Sequence, residues 1–230
     1  MRQIPLDIGP ALVPTLQNFL PGPNVQLWDH LHQWLQAQAA GVGGRESAVG
    51  VYVAGAPGSG KSHLMGALAG ALRARGQACG VLRPGTDADA AFDPAWSAVI
   101  LEDVHAYDAA RQHTAFNWFV NAQTEQRAVL ATGVVLPHAL PVREDLRTRC
   151  GGGHVFSLQP LTEAQVRAVL RANAQTRGLV LGDEVLDYVL LRFSRDLGSL
   201  MPLLAALDHY AMQTQRAITI PFVKNTLENL

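Results

Sequence analysis

Two kinds of apolar spacing alternate through the first two thirds of the chain, and only one of them continues through the last third. Gly50-Val51-Tyr52-Val53-Ala54 and Ala98-Val99-Ile100-Leu101 are short apolar runs of the buried-strand type, and Ala78 to Leu82, Ala128-Val129-Leu130-Ala131 and His154-Val155-Phe156-Ser157-Leu158 read as three further short strands. Between them the apolar residues fall at helical spacing: Leu27, Trp28, Leu31, Trp34 and Leu35, then Leu64, Leu68, Ala71 and Leu72, then Phe116, Phe119 and Val120. Asn24, just before the first of these helices, has the chemistry of an N-cap. Strands alternating with helices predict a parallel sheet covered on both faces.

After Gln159-Pro160 only the helical period remains. Thr162 and Gln165 form a capping box ahead of Val166, Val169 and Leu170. Val185, Leu186, Val189 and Leu190 mark a second helix starting at Gly182 or Asp183, and Leu200, Leu203, Leu204, Leu207 and Tyr210 a third. Pro221 suits the first turn of a short last helix. The expected organisation is an extended segment at 1–10, an α/β domain at 11–158 with five parallel strands, and a small all-helical domain at 159–230. In the first segment Pro5 and the alternating Ile4, Leu6 and Ile8 favour extended chain.

The junction of the first strand and the second helix carries the chemistry. Gly55-Ala56-Pro57-Gly58-Ser59-Gly60-Lys61-Ser62 fits G-x-x-x-x-G-K-[ST] at every position, between a strand and a helix. Gly55, Gly58 and Gly60 let backbone N–H groups turn inward around phosphates, with Pro57 and Ser59 completing the loop. Lys61 supplies a point charge, Ser62 a hydroxyl for Mg²⁺, and the helix N-terminus its positive dipole end. Glu102-Asp103 follows the third strand, where acids are placed to hold Mg²⁺ through water and to polarise an attacking water. Thr132 ends the fourth strand, within reach of a γ-phosphate or that water.

Composition narrows the partners. Apolar residues make up 48% and charged ones 16% of 230 residues, as in a globular protein. A net charge of −1 gives no overall basic field, so DNA is expected to be reached only through a local patch or another protein. Cys79 and Cys150 are isolated, fitting a reduced compartment. The eight histidines show no ligand spacing, so no protein-held metal is expected. Without a signal peptide or an apolar run of membrane length, the expected location is cytoplasmic.

A phosphate-loop α/β domain followed by a helical lid resembles the AAA+ family. The continuation Gly60-Lys61-Ser62-His63-Leu64 resembles the G-K-[ST]-H-L of bacterial DnaA replication initiators, which draws His63 into the expected nucleotide site. Asn18-Phe19-Leu20-Pro21-Gly22-Pro23-Asn24 resembles their adenine-side segment, and Arg147-Thr148-Arg149-Cys150-Gly151 the region of their arginine finger, with Arg149 at the matching position. The ending Ile218-Thr219-Ile220-Pro221-Phe222-Val223-Lys224 is similar to that of the regulatory inactivators of DnaA, the Hda family. An initiator would carry a further helix-turn-helix domain after the lid, and here the lid ends the sequence. Within this resemblance Gln3, Ile4, Leu6 and Ile8 match the peptides that bind bacterial sliding clamps.

The resemblance implies a negative regulator of replication initiation. On a DNA-loaded clamp it would promote hydrolysis of ATP bound to DnaA, with Arg149 acting in trans, Asp103 and Thr132 in catalytic positions, and ADP or ATP with Mg²⁺ as cofactors. Assembly as a homodimer or higher oligomer, and association with the nucleoid through the clamp, belong to the same picture. Two departures bear on its own ATPase activity, which is expected to be weak or absent: Glu102 stands where initiators usually have aspartate, and Gly198 falls where the lid arginine is expected, with Arg195 nearby. Two other readings stay open, a self-sufficient ATPase of the helicase-loader kind and a clamp-tethering adaptor without effect on DnaA.

Overall fold

The structure, a computed structural model, describes residues 13–39, 49–193 and 196–228. It divides into two compact units, one of residues 14–160 and the other built on residues 161–230. The strands of the first unit are β1 (Val51–Ala54), β2 (Cys79–Leu82), β3 (Ala98–Leu101), β4 (Ala128–Gly133) and β5 (His154–Ser157). All pair in parallel, in the order β2-β3-β4-β1-β5, with Val53 opposite Thr132 on one side and Phe156 on the other.

Helices cover both faces of β1, β3 and β4, which is why these strands are buried without alternation, whereas His154, Val155 and Ser157 of the edge strand β5 are exposed. On one face Val53, Ile100 and Leu130 meet Leu31 of α1 (Val25–Ala39) and Leu64 and Leu68 of α2 (Lys61–Ala74). On the other, Tyr52, Val99 and Val129 meet Trp118 and Phe119 of α3 (Ala109–Thr124) and Leu146 of α4 (Glu144–Gly151). Each such large side chain removed from water contributes about 1.5–3 kcal/mol. Tyr52 keeps its hydroxyl satisfied by donating to the Val135 carbonyl at 2.8 Å, and burial pushes its ionisation well above the usual range.

Two local expectations are corrected. Asn24 ends a 3₁₀ turn (Gly22–Asn24) and turns its carboxamide to the backbone of Pro21 and Gln159, so it does not serve as the N-cap of α1. On α3 the residues that face the sheet are Thr114, Ala115, Trp118, Phe119 and Ala122, while Phe116 and Val120 are half-buried at the margin. A Cβ on Gly153 would stand 2.0 Å from the Gly50 carbonyl oxygen, so glycine is what lets β5 close on β1.

In the second unit α5 (Glu163–Thr176), α6 (Asp183–Arg192), α7 (Leu197–Thr214) and α8 (Ile220–Glu228) enclose Val166, Leu170, Leu186, Leu190, Leu203, Leu207 and Phe222. The capping box forms: the Thr162 hydroxyl accepts the Gln165 N–H, and the Gln165 side chain accepts the Thr162 N–H. Gly182 occupies the N-cap of α6. Arg177 reaches from the end of α5 to Asp208 of α7 at 3.3 Å. Among the described residues no helix is long and apolar enough to cross a membrane.

Candidate functional site

The loop between β1 and α2 is held open by two glycines in the left-handed region, Gly58 at φ 75° and Gly60 at φ 100°. These conformations turn successive N–H groups the same way, and other residues adopt them at a cost. Ser59 N–H closes a turn on the Ala56 carbonyl at 3.2 Å, and Gly60 caps α2. Gly55 leaves no room for a side chain, because a Cβ there would meet the Ser59 hydroxyl at 2.6 Å. That hydroxyl is buried without a hydrogen-bond partner, as is Nε2 of His63. A loop that buries two orphaned polar atoms beside the amino end of a 14-residue helix fits an anionic ligand.

Lys61 is 6% exposed and folds over the loop, donating to the carbonyls of Gly55 at 2.8 Å and Ala56 at 3.1 Å. Burial lowers its pKa, and the carboxylate of Asp103 works in the opposite direction. Pro57 and Ser62 are exposed at the surface of the loop. His63 is half-buried, and burial lowers its pKa against a hydrogen bond with the Thr15 backbone. Its ring lies 6.1 Å from that of Phe19, which stacks on Trp28 at 5.3 Å. Phe19 from the segment before α1 and Trp28 from α1 therefore form an aromatic pair beside His63, a contact that the spacing of apolar residues did not show.

Strand alternation decides which side chains join this loop. Ile100 and Leu130 belong to the core on the α2 face, so Glu102 and Thr132, two residues further along each strand, are turned to that face as well. The Thr132 hydroxyl accepts the Asp103 N–H at 2.9 Å, tying the tips of β3 and β4 together. Asp103 itself is left-handed, at φ 52°. Glu102 is 6% exposed, and Arg83 donates to its Oε1 through Nε at 3.0 Å and Nη2 at 2.7 Å. Arg83 follows β2 and carried no sequence signal, since its partner lies 19 positions away. An open cleft of about 440 Å³ adjoins the loop at the carboxyl ends of β1, β4 and β5, lined among others by Gly55, Val135, His138 and Gln159.

Arg149 is on α4, apart from these groups. Its guanidinium lies over the rings of Phe116 at 5.4 Å and Phe119 at 6.0 Å and donates to Gln123 Oε1. Arg143 covers the same Phe116 ring at 5.7 Å, so that ring is flanked by two cations. Arg147, two residues before Arg149, turns inward to the Val142 carbonyl. Gly198 is exposed in the first turn of α7. Pro202, four residues on, lacks the N–H that would bond the Gly198 carbonyl. Gln3, Ile4, Leu6, Ile8 and Arg195 lie outside the described residues.

Residues 163–227 match the family described as Hda, lid domain. Domain III of the Thermotoga maritima replication initiation protein DnaA is similar at a TM-score of 0.73 and 16% identity, over 95% of this chain and 97% of that one. AMPPCP-bound DnaA from Aquifex aeolicus is similar at 0.63 and 21%, over 80% of this chain and 62% of that one. The Thermotoga maritima RuvB Holliday junction branch migration motor is similar at 0.65 and 18%, over 94% and 72%. The fold around the phosphate loop is shared with the initiator and the motor, and the helices after it match the Hda lid family over residues 163–227.

Proposed function

We propose that this chain is a negative regulator of replication initiation that binds ADP or ATP in its own loop and promotes hydrolysis of the ATP carried by DnaA. The observation that carries the reading is the combination of an Hda lid at residues 163–227 with a DnaA-like fold whose phosphate loop is complete. Nucleotide binding is supported by the orphaned hydroxyl of Ser59, the burial of Lys61 and the likeness to AMPPCP-bound DnaA.

In this reading the groups divide their work. Gly55 to Ser62 bind and orient the phosphates, and His63 with Phe19 lines the approach to the loop. Arg149, on α4, meets DnaA in trans, where a fixed guanidinium stabilises charge on the transferring phosphoryl group and is worth roughly 10³–10⁵ in rate. Gln3, Ile4, Leu6 and Ile8 dock on the DNA-loaded sliding clamp, so DNA is reached only through the clamp. Such a protein acts in the cytoplasm, at the nucleoid. Asp103 and Thr132 serve the chain's own nucleotide. The glycine at position 198 offers no cation to a γ-phosphate, which favours a bound nucleotide that sets conformation and assembly over one that is turned over. Homodimers or higher oligomers are the form in which such control would be exerted.

The deciding experiment follows hydrolysis of labelled ATP prebound to DnaA, with DNA-loaded clamp present, for the wild type, Arg149→Ala and Gln3→Ala. Acceleration that both substitutions abolish is the expected result. Normal clamp binding without acceleration would leave a tethering adaptor, and rapid turnover of ATP by the chain alone would leave a self-sufficient ATPase.

A further inference from the structure

Glu102, the first acid at the tip of β3, already faces a fixed cation. Leu82 pairs with Leu101 in the β2–β3 ladder, and the Glu102 N–H continues it one step by donating to the Leu82 carbonyl at 2.9 Å. That register makes Arg83 and Glu102 direct neighbours. The guanidinium gives both its Nε and its Nη2 hydrogens to Oε1, and the Glu102 side chain is 8% exposed while the arginine side chain is 55% exposed. A buried carboxylate needs such a partner, because leaving it alone is strongly unfavourable. The second acid, Asp103, acts electrostatically on Lys61.

Magnesium is held at nucleotide sites by one or two carboxylates together with the substrate phosphates, and it keeps most of its water. Its attraction to the protein comes from uncompensated negative charge at those carboxylates. Here Glu102 has spent that charge on the guanidinium of Arg83. The residues present do not make a good seat for the ion.

We infer that Arg83 takes the place of a divalent cation at Glu102, so that this chain binds ADP with an affinity independent of magnesium. The inference rests on the reading of the phosphate loop as a nucleotide site and deepens it: a site without the metal retains nucleotide and does not hydrolyse it.

The test is ADP binding to the full chain by calorimetry, in excess magnesium chloride and in excess EDTA. For the wild type the two dissociation constants should agree within about twofold, whereas Arg83→Gln should bind at least about tenfold more tightly with magnesium than without. Tenfold tighter binding by the wild type with magnesium overturns the inference, as does an Arg83→Gln variant that gains no magnesium response. Should Arg83→Gln fail to fold, Glu102→Gln and the wild type still decide, because both are expected to ignore magnesium and a response from either overturns it. No ADP binding in either buffer overturns the nucleotide-site reading itself.

Discussion

The carboxamide of Asn24 bonds the backbone of Gln159 in both directions, Nδ2 donating to the carbonyl at 2.9 Å and Oδ1 accepting the N–H at 2.7 Å. The two residues are 135 positions apart, and the contact fastens the segment before α1 to the chain leaving β5. Asn24 is 6% exposed, so its loss leaves polar backbone groups without partners. Asn24→Ala is expected to lower stability by about 2 kcal/mol. Asn24→Asp should cost more, because it sets a carboxylate against the carbonyls of Gln159 and Pro21. Urea unfolding of the three proteins checks the order.

Gly153 and Gly152 are neighbours with opposite tolerance. A Cβ on Gly153 meets backbone, the Gly50 carbonyl oxygen, at 2.0 Å, whereas Gly152 has an ordinary φ of −82° and its nearest contact at 3.4 Å. Gly153→Ala is expected to destabilise by about 3 kcal/mol or more and Gly152→Ala by less than about 1 kcal/mol. Equal midpoints in thermal unfolding would contradict this.

Burial lowers the pKa of His63, and burial together with the charge of His154, 4.5 Å from it, lowers that of His30. A lowered histidine pKa means that the unfolded chain binds more protons in the window below about 6.5, so stability falls as the pH falls through it. His63→Gln and His30→Gln should each lose less stability than the wild type between pH 7.5 and 5.5, as urea midpoints at the two values would record.

Arg149 touches α3 through Gln123 and the face of Phe116 at the protein surface. Exposed contacts of this kind contribute little, so Arg149→Ala should change stability by no more than about 1 kcal/mol. A large fall in DnaA-dependent hydrolysis with an unchanged melting curve would assign the side chain to the partner's chemistry. A large loss of stability would make it a support for α4.

What could be seen from the chain alone follows the range of the interactions. The phosphate loop, the capping box of Thr162 and Gln165 and the apolar runs of the strands are local patterns, and they stand in the structure where the spacing puts them. Asn24 was misread because a side chain able to cap a helix is equally able to bond a distant backbone, and only the fold brings Gln159 to it. Trp118 was passed over for Phe116 because the period of a helix identifies a face only to within a residue. Arg83 and Glu102 meet through strand register, which no single stretch of sequence encodes.

The strand order also bears on how the protein is made. Both neighbours of β1 come later in the chain, β4 at Ala128–Gly133 and β5 at His154–Ser157, whereas β2 and β3 can pair with each other as soon as they emerge. A ribosome that has released the whole phosphate loop has thus delivered a ligand cradle with no sheet beneath it, because parallel pairing across such sequence distances forms late and slowly. β1 waits, apolar and without a sheet partner, until β4 begins at Ala128, and newly made chains are vulnerable to aggregation and to proteases during that interval.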